Sequence, residues 1–239
     1  MNIAFEELQL GKFSLVILSG KCEAGGQYSK LYEEVFSSWK EIWLEVLTET
    51  GSPQTLKGDT FFRTEYIPVI LYDGDIVGFY LGSVYPLSYS IMNEHSYFTV
   101  FTEEAKQKLQ KRKIKSVMSY EYMSVPKKWR KDGLGFSIGE VLIDMGLSLR
   151  NELHCQAAVG VASIKAKVHT MAHNSGAETL VKEVSRGNLD CELVVFFPEN
   201  DRLSHDSRIT LLSKHLWESR VYVDRFGETQ TTNKVQRKA

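Results

Sequence analysis

The 239 residues, 43% of them hydrophobic, suffice to bury one sizeable core, and 29 basic against 30 acidic residues leave a net charge of -1, which excludes an overall field favouring nucleic acid or an anionic membrane. Cys22, Cys155 and Cys191 are odd in number and widely spaced, which suits neither a disulfide framework nor a C-x-x-C metal site and predicts reduced thiols in a cytoplasmic protein. The N-terminus lacks the basic start of a signal peptide, and no apolar run reaches the roughly 18 residues of a membrane span.

Taken in chain order, "FSLVILS" (13–19) reads as a buried strand. Residues 28–50 place Leu31, Tyr32, Val35, Phe36, Trp39, Ile42, Trp43, Val46 and Leu47 three and four apart, the stripe of a long amphipathic helix stopped by Gly51. "FFRTEYIPVILY" and "DIVGFYLGSVY" are two β-rich runs joined by Asp73-Gly74, the dipeptide of a tight hairpin. Residues 86–115 break the rhythm with an aromatic-rich stretch and a charged helix that Thr102 can cap, so they are expected to form an insertion. The aromatics around it, Tyr80, Tyr85, Tyr89, Tyr97, Phe98 and Phe101, suit either an acceptor pocket or the core of an inserted lobe.

Strand character returns at 114–126 and leads into "KKWRKDGLG" and an amphipathic helix from Phe136. "CQAAVGVAS" (155–163) is a further strand, "IKAKVHTMAHNSG" a helix, and "ETLVKEVSRG" with "CELVVFFPE" a strand pair turning at 186–188. Beyond Pro198, "RITLLSKHLWESRVYVDRF" reads as one or two helices, followed by a tail too polar to pack. The division expected is one domain over 1–200, with the insertion at about 86–115, and a helical extension with a disordered tail over 201–239.

Within "WRKDGLG" two glycines stand at the N-terminus of a helix, where unpaired amides and the helix dipole favour an anion, and Lys127, Lys128, Arg130 and Lys131 add positive charge. An ordinary solvated turn would have the same composition. Neither a P-loop nor a dinucleotide-binding G-x-G-x-x-G is present.

The order strand, long helix, hairpin, strand, R-x-x-G-x-G, helix, strand, helix, strand pair resembles the GCN5-related N-acetyltransferase superfamily over roughly residues 10–198. Val125, Arg130, Gly133 and Gly135 match its V-x-P-x-x-[QR]-x-x-G-x-[GA] segment, with Pro126 one position early. The resemblance implies an α/β (α+β) acyl-CoA N-acyltransferase fold, a mixed, mostly antiparallel twisted sheet with helices on both faces. It also implies acetyl-CoA or another acyl-CoA as co-substrate. The pyrophosphate would lie on the amides of Arg130, Lys131, Asp132, Gly133, Leu134, Gly135 and Phe136, the pantetheine arm along Met123, Ser124 and Val125, and Asn174 near the cofactor. The implied reaction is acyl transfer to a primary amine or amino acid by direct attack.

For the chemistry, simple alternation puts Ser119, Glu121, Met123 and Val125 on one strand face, and Glu121 and Ser119 occupy positions where relatives keep a general base. A carboxylate paired with a neighbouring cation is the competing account of Glu121. The family's usual tyrosine acid falls at Ala172, which leaves His173 and His169 as candidate acids or as plain solvent-facing residues; their spacing lacks the glutamate of a metal-binding H-E-x-x-H, and no metal is expected. The insertion and the missing tyrosine also suit a long-chain N-acyl amino acid synthase served by acyl carrier protein or acyl-CoA. A non-catalytic acyl-CoA sensor is the third reading. A homodimer is compatible with each.

Overall fold

In a computed structural model of the chain, residues 9–90, 94–130 and 134–230 are described. The first strand, β1 (Phe13–Ser19), is followed by the long helix α1 (Ser29–Glu49) and the short α2 (Gly58–Arg63). Strands β2 (Tyr66–Tyr72), β3 (Asp75–Leu81) and β4 (Val84–Pro86) lead to α3 (Glu103–Lys111), β5 (Ser116–Ser124) and α4 (Ile138–Glu152). Then come β6 (Ala157–Ser163), α5 (Val168–Asn174), β7 (Glu178–Arg186), β8 (Leu189–Phe196), α6 (Ser207–Glu218), β9 (Val221–Val223) and β10 (Thr229–Gln230). The sheet runs β10-β9-β1-β2-β3-β5-β6-β8-β7, with β4 also on β5, and is antiparallel except where β1 meets β9 and β5 meets β6.

Local sequence explains most boundaries. Asp73 and Gly74 both take positive φ (52° and 86°), the turn that closes β2 onto β3. Gly51 (φ 71°) ends α1, and the Ser52 amide reaches back to the Leu47 carbonyl at 2.8 Å. Thr102 caps α3 by accepting from the Ala105 amide, and Ser137 does the same for α4 from Glu140.

Helices cover both faces. On one side α4, α5 and α6 pack Ile138, Leu142, Met145, Ala172, Leu212 and Leu216 against the sheet. On the other, α1 and α2 seat Trp39 and Phe61 over β1 to β3, while the turn at Ser96–Val100 and α3 place Tyr97, Phe98, Phe101 and Leu109 over β6 to β8. Gly146 lets α4 ride on Tyr120: a Cβ there would stand 1.9 Å from the Tyr120 ring, whose hydroxyl donates to the Ile143 carbonyl at 3.0 Å.

Three expectations are corrected. Phe61 to Arg63 end a helix rather than open a strand, because a helical turn directs Phe61 onto Trp39 (ring centres 5.4 Å apart) while Phe62 stays exposed. Residues 164–167 form a turn, with Lys167 at φ 56°, so α5 is only 168–174. After α6 the chain forms a strand, since Val221–Val223 finds an open edge on β1 and β-branched valines fit a pleated surface. The last segment therefore completes the sheet, and α6 seals α4 through Ser213, whose hydroxyl donates to Asp144 at 2.8 Å. The expected tail beyond residue 230 lies outside the described residues.

Candidate active site

The site begins where two parallel strands part. β5 and β6 pair from Val117↔Ala157 to Tyr120↔Gly160 and no further, although β6 stays on β8 as far as Ser163↔Cys191 and β5 stays on β3 as far as Ser124↔Phe79. Between Glu121 and Ser124 the strand carries an extra residue against Leu81 and Phe79, and Tyr122 takes φ 51°: a β-bulge. Among the described residues, the edge of β5 that faces β6 beyond Tyr120 has no strand partner.

A cavity of 420 Å³ occupies this wedge and reaches both sides of the sheet. Ile143, Gly160, Val168, Ala172, Val194 and Phe196 line its α4 side, and Glu121, Tyr122, Arg186, Arg63, Lys57 and Cys191 its α1 side. One end is apolar and the other charged. Burial pushes the Cys191 thiol up to about 11, so it stays protonated at neutral pH.

The bulge overturns the alternation expected for β5. Met118, Tyr120, Met123 and Val125 pack on the α4 side, whereas Tyr122 packs with Trp39 and Trp43 on the α1 side. Glu121, bound to Ser119 and Tyr85, lies on that α1 side too. Two consecutive residues, Glu121 and Tyr122, thus share a face, and Glu121 is separated from Met123 and Val125 by the sheet. Ser124 is on the α1 face as well: its buried hydroxyl accepts from Trp43 Nε1 at 2.9 Å and donates to the Tyr122 carbonyl at 2.7 Å, which ties the bulge down. Its side chain is committed to the bulge, leaving the backbone as the part facing the wedge.

Glu121 is nearly buried, and desolvation raises its pKa. Arg186, Ser119, Tyr85 and Arg63 oppose that rise without cancelling it. The Ser119 hydroxyl donates to Glu121 Oε1 at 2.8 Å and accepts from the Ser83 amide at 3.1 Å, which fixes its direction. Tyr85 offers a longer bond, 3.4 Å, to the same oxygen, and an Arg186 nitrogen stands 3.7 Å from Oε2. A carboxyl held this way at the wall of a cavity has the geometry and the raised basicity of a general base. The competing account, a carboxylate neutralised by a cation, is met among the described residues by this loose contact and by the more distant charge of Arg63.

The loop before α4 supplies the second half. Gly135 has φ 73°, a conformation costly for any side chain, and Ser137 starts the helix two residues later. Leu134 and Phe136 turn inward and are buried, so the backbone between them faces outward at a helix N-terminus. The local cations are spread more widely than their spacing suggests: Lys127 pairs with Glu45 at 2.5 Å, Lys128 with Asp75 at 2.7 Å, and Arg130 Nε donates to the Val125 carbonyl at 2.8 Å. Lys131, Asp132 and Gly133 lie outside the described residues.

The histidines do not enter the wedge. His173 faces the Ala177 carbonyl and Glu192, each at 3.0 Å, so both ring nitrogens are occupied in joining α5 to β8. His169 contacts the Ser163 carbonyl at 3.4 Å and Thr170 at 3.3 Å, and Asn174 is exposed at the end of α5; none of the three lines the cavity. Among the aromatics, Tyr97, Phe98 and Phe101 are core, Tyr80 is core on the opposite face, and Tyr89 is exposed. Only Tyr85 reaches Glu121 with its hydroxyl. Arg186, Arg63 and Lys57 had no signal in the sequence, since their place is set by a hairpin and a helix far from Glu121 in the chain.

No family model and no curated protein sequence matches the chain. Solved structures do. A CoA-dependent acyl-homoserine lactone synthase, solved with SAM and isopentyl-CoA, aligns over 94% of this chain and 98% of its own at 12% identity and TM-score 0.55. An arylalkylamine N-acetyltransferase 7 of the yellow fever mosquito aligns over 71% and 84% at 14% identity and TM-score 0.53. An N-acyl amino acid synthase from uncultured soil microbes aligns over 78% and 92% at 12% identity and TM-score 0.52. The chain shares the fold of these N-acyltransferases. Its mixed sheet with helices on both faces is the architecture expected from the sequence.

Proposed function

We propose that the protein is an N-acyltransferase that moves an acyl group from coenzyme A to an amine by direct attack. The observation that carries this reading is Glu121, a nearly buried carboxyl of raised pKa in the wall of the wedge between β5 and β6, one bulge away from an unpaired strand edge. That edge suits the amide groups of a pantetheine arm, as in β-augmentation. The helix start at Ser137, with Gly135 before it, suits the pyrophosphate. Coenzyme A supplies the thioester. Glu121 takes a proton from the amine as its nitrogen bonds to the carbonyl carbon; the carbon–sulfur bond breaks with its electron pair on sulfur, and solvent reprotonates the thiolate.

The apolar α4 side of the wedge favours an acyl group longer than acetyl. Ile143, Val168, Ala172, Val194 and Phe196 present apolar surface that gains from covering methylenes, of which acetyl has none. Measuring CoA release with acetyl-, octanoyl- and palmitoyl-CoA against a panel of primary amines and amino acids tests the reading. Amine-dependent release that is lost in Glu121→Gln, and binding that is lost in Gly135→Glu, are the expected results. Binding without turnover of any acceptor would make the protein a sensor, and no binding of any acyl-CoA would remove the donor site.

A further inference from the structure

The charged end of the wedge holds a cation, Arg186, to which the described residues offer the Tyr122 hydroxyl and a loosely placed carboxylate but no bidentate acid. Arg186 is the last residue of β7, and the Gly187–Asn188 turn that follows is bolted to the end of α1. The Gly187 carbonyl accepts from Thr50 Oγ1 at 2.8 Å and from Ser52 Oγ at 2.5 Å, and Asn188 Nδ2 donates to the Thr50 carbonyl at 3.0 Å. The guanidinium is held against two rings, 5.5 Å from the centre of Tyr97 and 5.9 Å from that of Tyr122. Its carboxylate contact is Glu121 at 3.7 Å, beyond hydrogen-bond length, so the two-pronged face of the guanidinium is not filled by a bidentate acid among the described residues. Arg63 and Lys57 line the same end; Arg63 is matched by Asp59 at 2.8 Å, and Lys57 has no ion pair among the described residues.

We infer that Arg186 is the receptor for a carboxylate of the acceptor, and that the acceptor is therefore an amino acid or another small amine bearing a carboxylate. This rests on the acyltransferase reading above. An α-amino acid carries its amine and its carboxylate two bonds apart, and Glu121 and Arg186 stand side by side, so one small molecule spans both: nitrogen at Glu121, carboxylate on the fork of Arg186. A fixed guanidinium loses little freedom on binding, which is what makes such a receptor selective.

The test is kcat/KM with a fixed acyl-CoA for three acceptors that share a side chain: leucine, leucinamide and isopentylamine, with the corresponding phenylalanine and tyrosine sets. Amine basicity rises from the amide through the amino acid to the alkylamine, so a preference for the middle member does not follow from basicity. Wild type is expected to favour the carboxylate-bearing member of at least one set by about 10- to 100-fold, expressed mainly in KM, the range for a charge-assisted pair. Arg186→Gln should abolish that ratio and Arg186→Lys should retain part of it. Glu121→Gln should lower the rate for every member, least for the weakly basic amide. Equal rates within every set, or faster alkylamines, would overturn the inference while leaving the acyltransferase reading intact; no turnover of any member with any acyl-CoA would overturn both. Should Arg186→Gln fail to fold, the wild-type ratios and Arg186→Lys decide.

Discussion

Replacing Gly160 with valine narrows the apolar side of the wedge without disturbing the strand. A Cβ at this position would meet the Tyr120 Cβ at 3.4 Å and Val194 Cγ2 at 4.0 Å, ordinary contacts, and a β-branched residue suits β6. Glycine is also the costlier residue to order in a strand, so the variant should fold at least as well as wild type. The two added methyls stand where the acyl chain is proposed to lie. Each buried methylene contributes about 0.8 kcal/mol, which is roughly a fourfold gain in affinity per carbon at about 1.4 kcal/mol per factor of ten. Wild-type binding should therefore tighten about fourfold per carbon along an acyl-CoA series until the wedge is full. Losing room for about two methylenes should cut the preference of long over short chains by about 15-fold in Gly160→Val. Calorimetric titration of wild type and variant with the series from acetyl to dodecanoyl reads both quantities. A flat wild-type series, or an identical profile in the two proteins, would refute the placement of the acyl chain.

Glu121→Gln should flatten the acidic limb of the pH–rate profile. Burial raises the Glu121 pKa, so the wild-type rate falls as pH drops through that raised value, and the variant should lose most activity near neutrality and least at high pH, where the amine deprotonates unaided. An equal loss at every pH would assign Glu121 a structural part. Asp144, nearly buried beneath α6, is raised from 3.8 to about 6 by desolvation and by Glu140 and Asp201 despite the Ser213 hydroxyl. Its folded value exceeds its unfolded one, so stability is greatest below pH 4 for this group and falls by about 3 kcal/mol as pH climbs to 6. Asp144→Asn, which still accepts from Ser213, should raise Tm at pH 7.5, with the gain absent at pH 4. Arg150 is fully buried and bound by both oxygens of Asp201, so Asp201→Ala should destabilise the fold by about 3 kcal/mol in urea unfolding, because the buried guanidinium would keep its neutral acceptors, Asn151 Oδ1 and the Phe196 carbonyl, but lose its counter-charge.

Much of the fold was legible because it is local. The Asp73-Gly74 hairpin, the Thr102 cap, the β7–β8 turn and the stripe of α1 all rest on residues a few positions apart, and each appears as expected. Phe61 and β9 are not legible locally because their form depends on what lies opposite: a helix face for the one, an open strand edge for the other.

The candidate site divides along the same line. "WRKDGLG" marks a strand-to-helix turn from its glycines alone, and Glu121 stands out as an acid within an apolar strand. The face that Glu121 occupies could not be read from alternation, because the bulge at Tyr122 shifts the phase by one residue and arises from pairing with β3, a long-range event. Arg186 joins it from 65 positions away through a turn fastened to α1, and the cations of the loop find Glu45 and Asp75 on other elements. Short-range chemistry writes turns, caps and stripes into the chain. Which side chains meet across the wedge is settled by strand pairing and packing, whose partners no stretch of neighbouring residues contains.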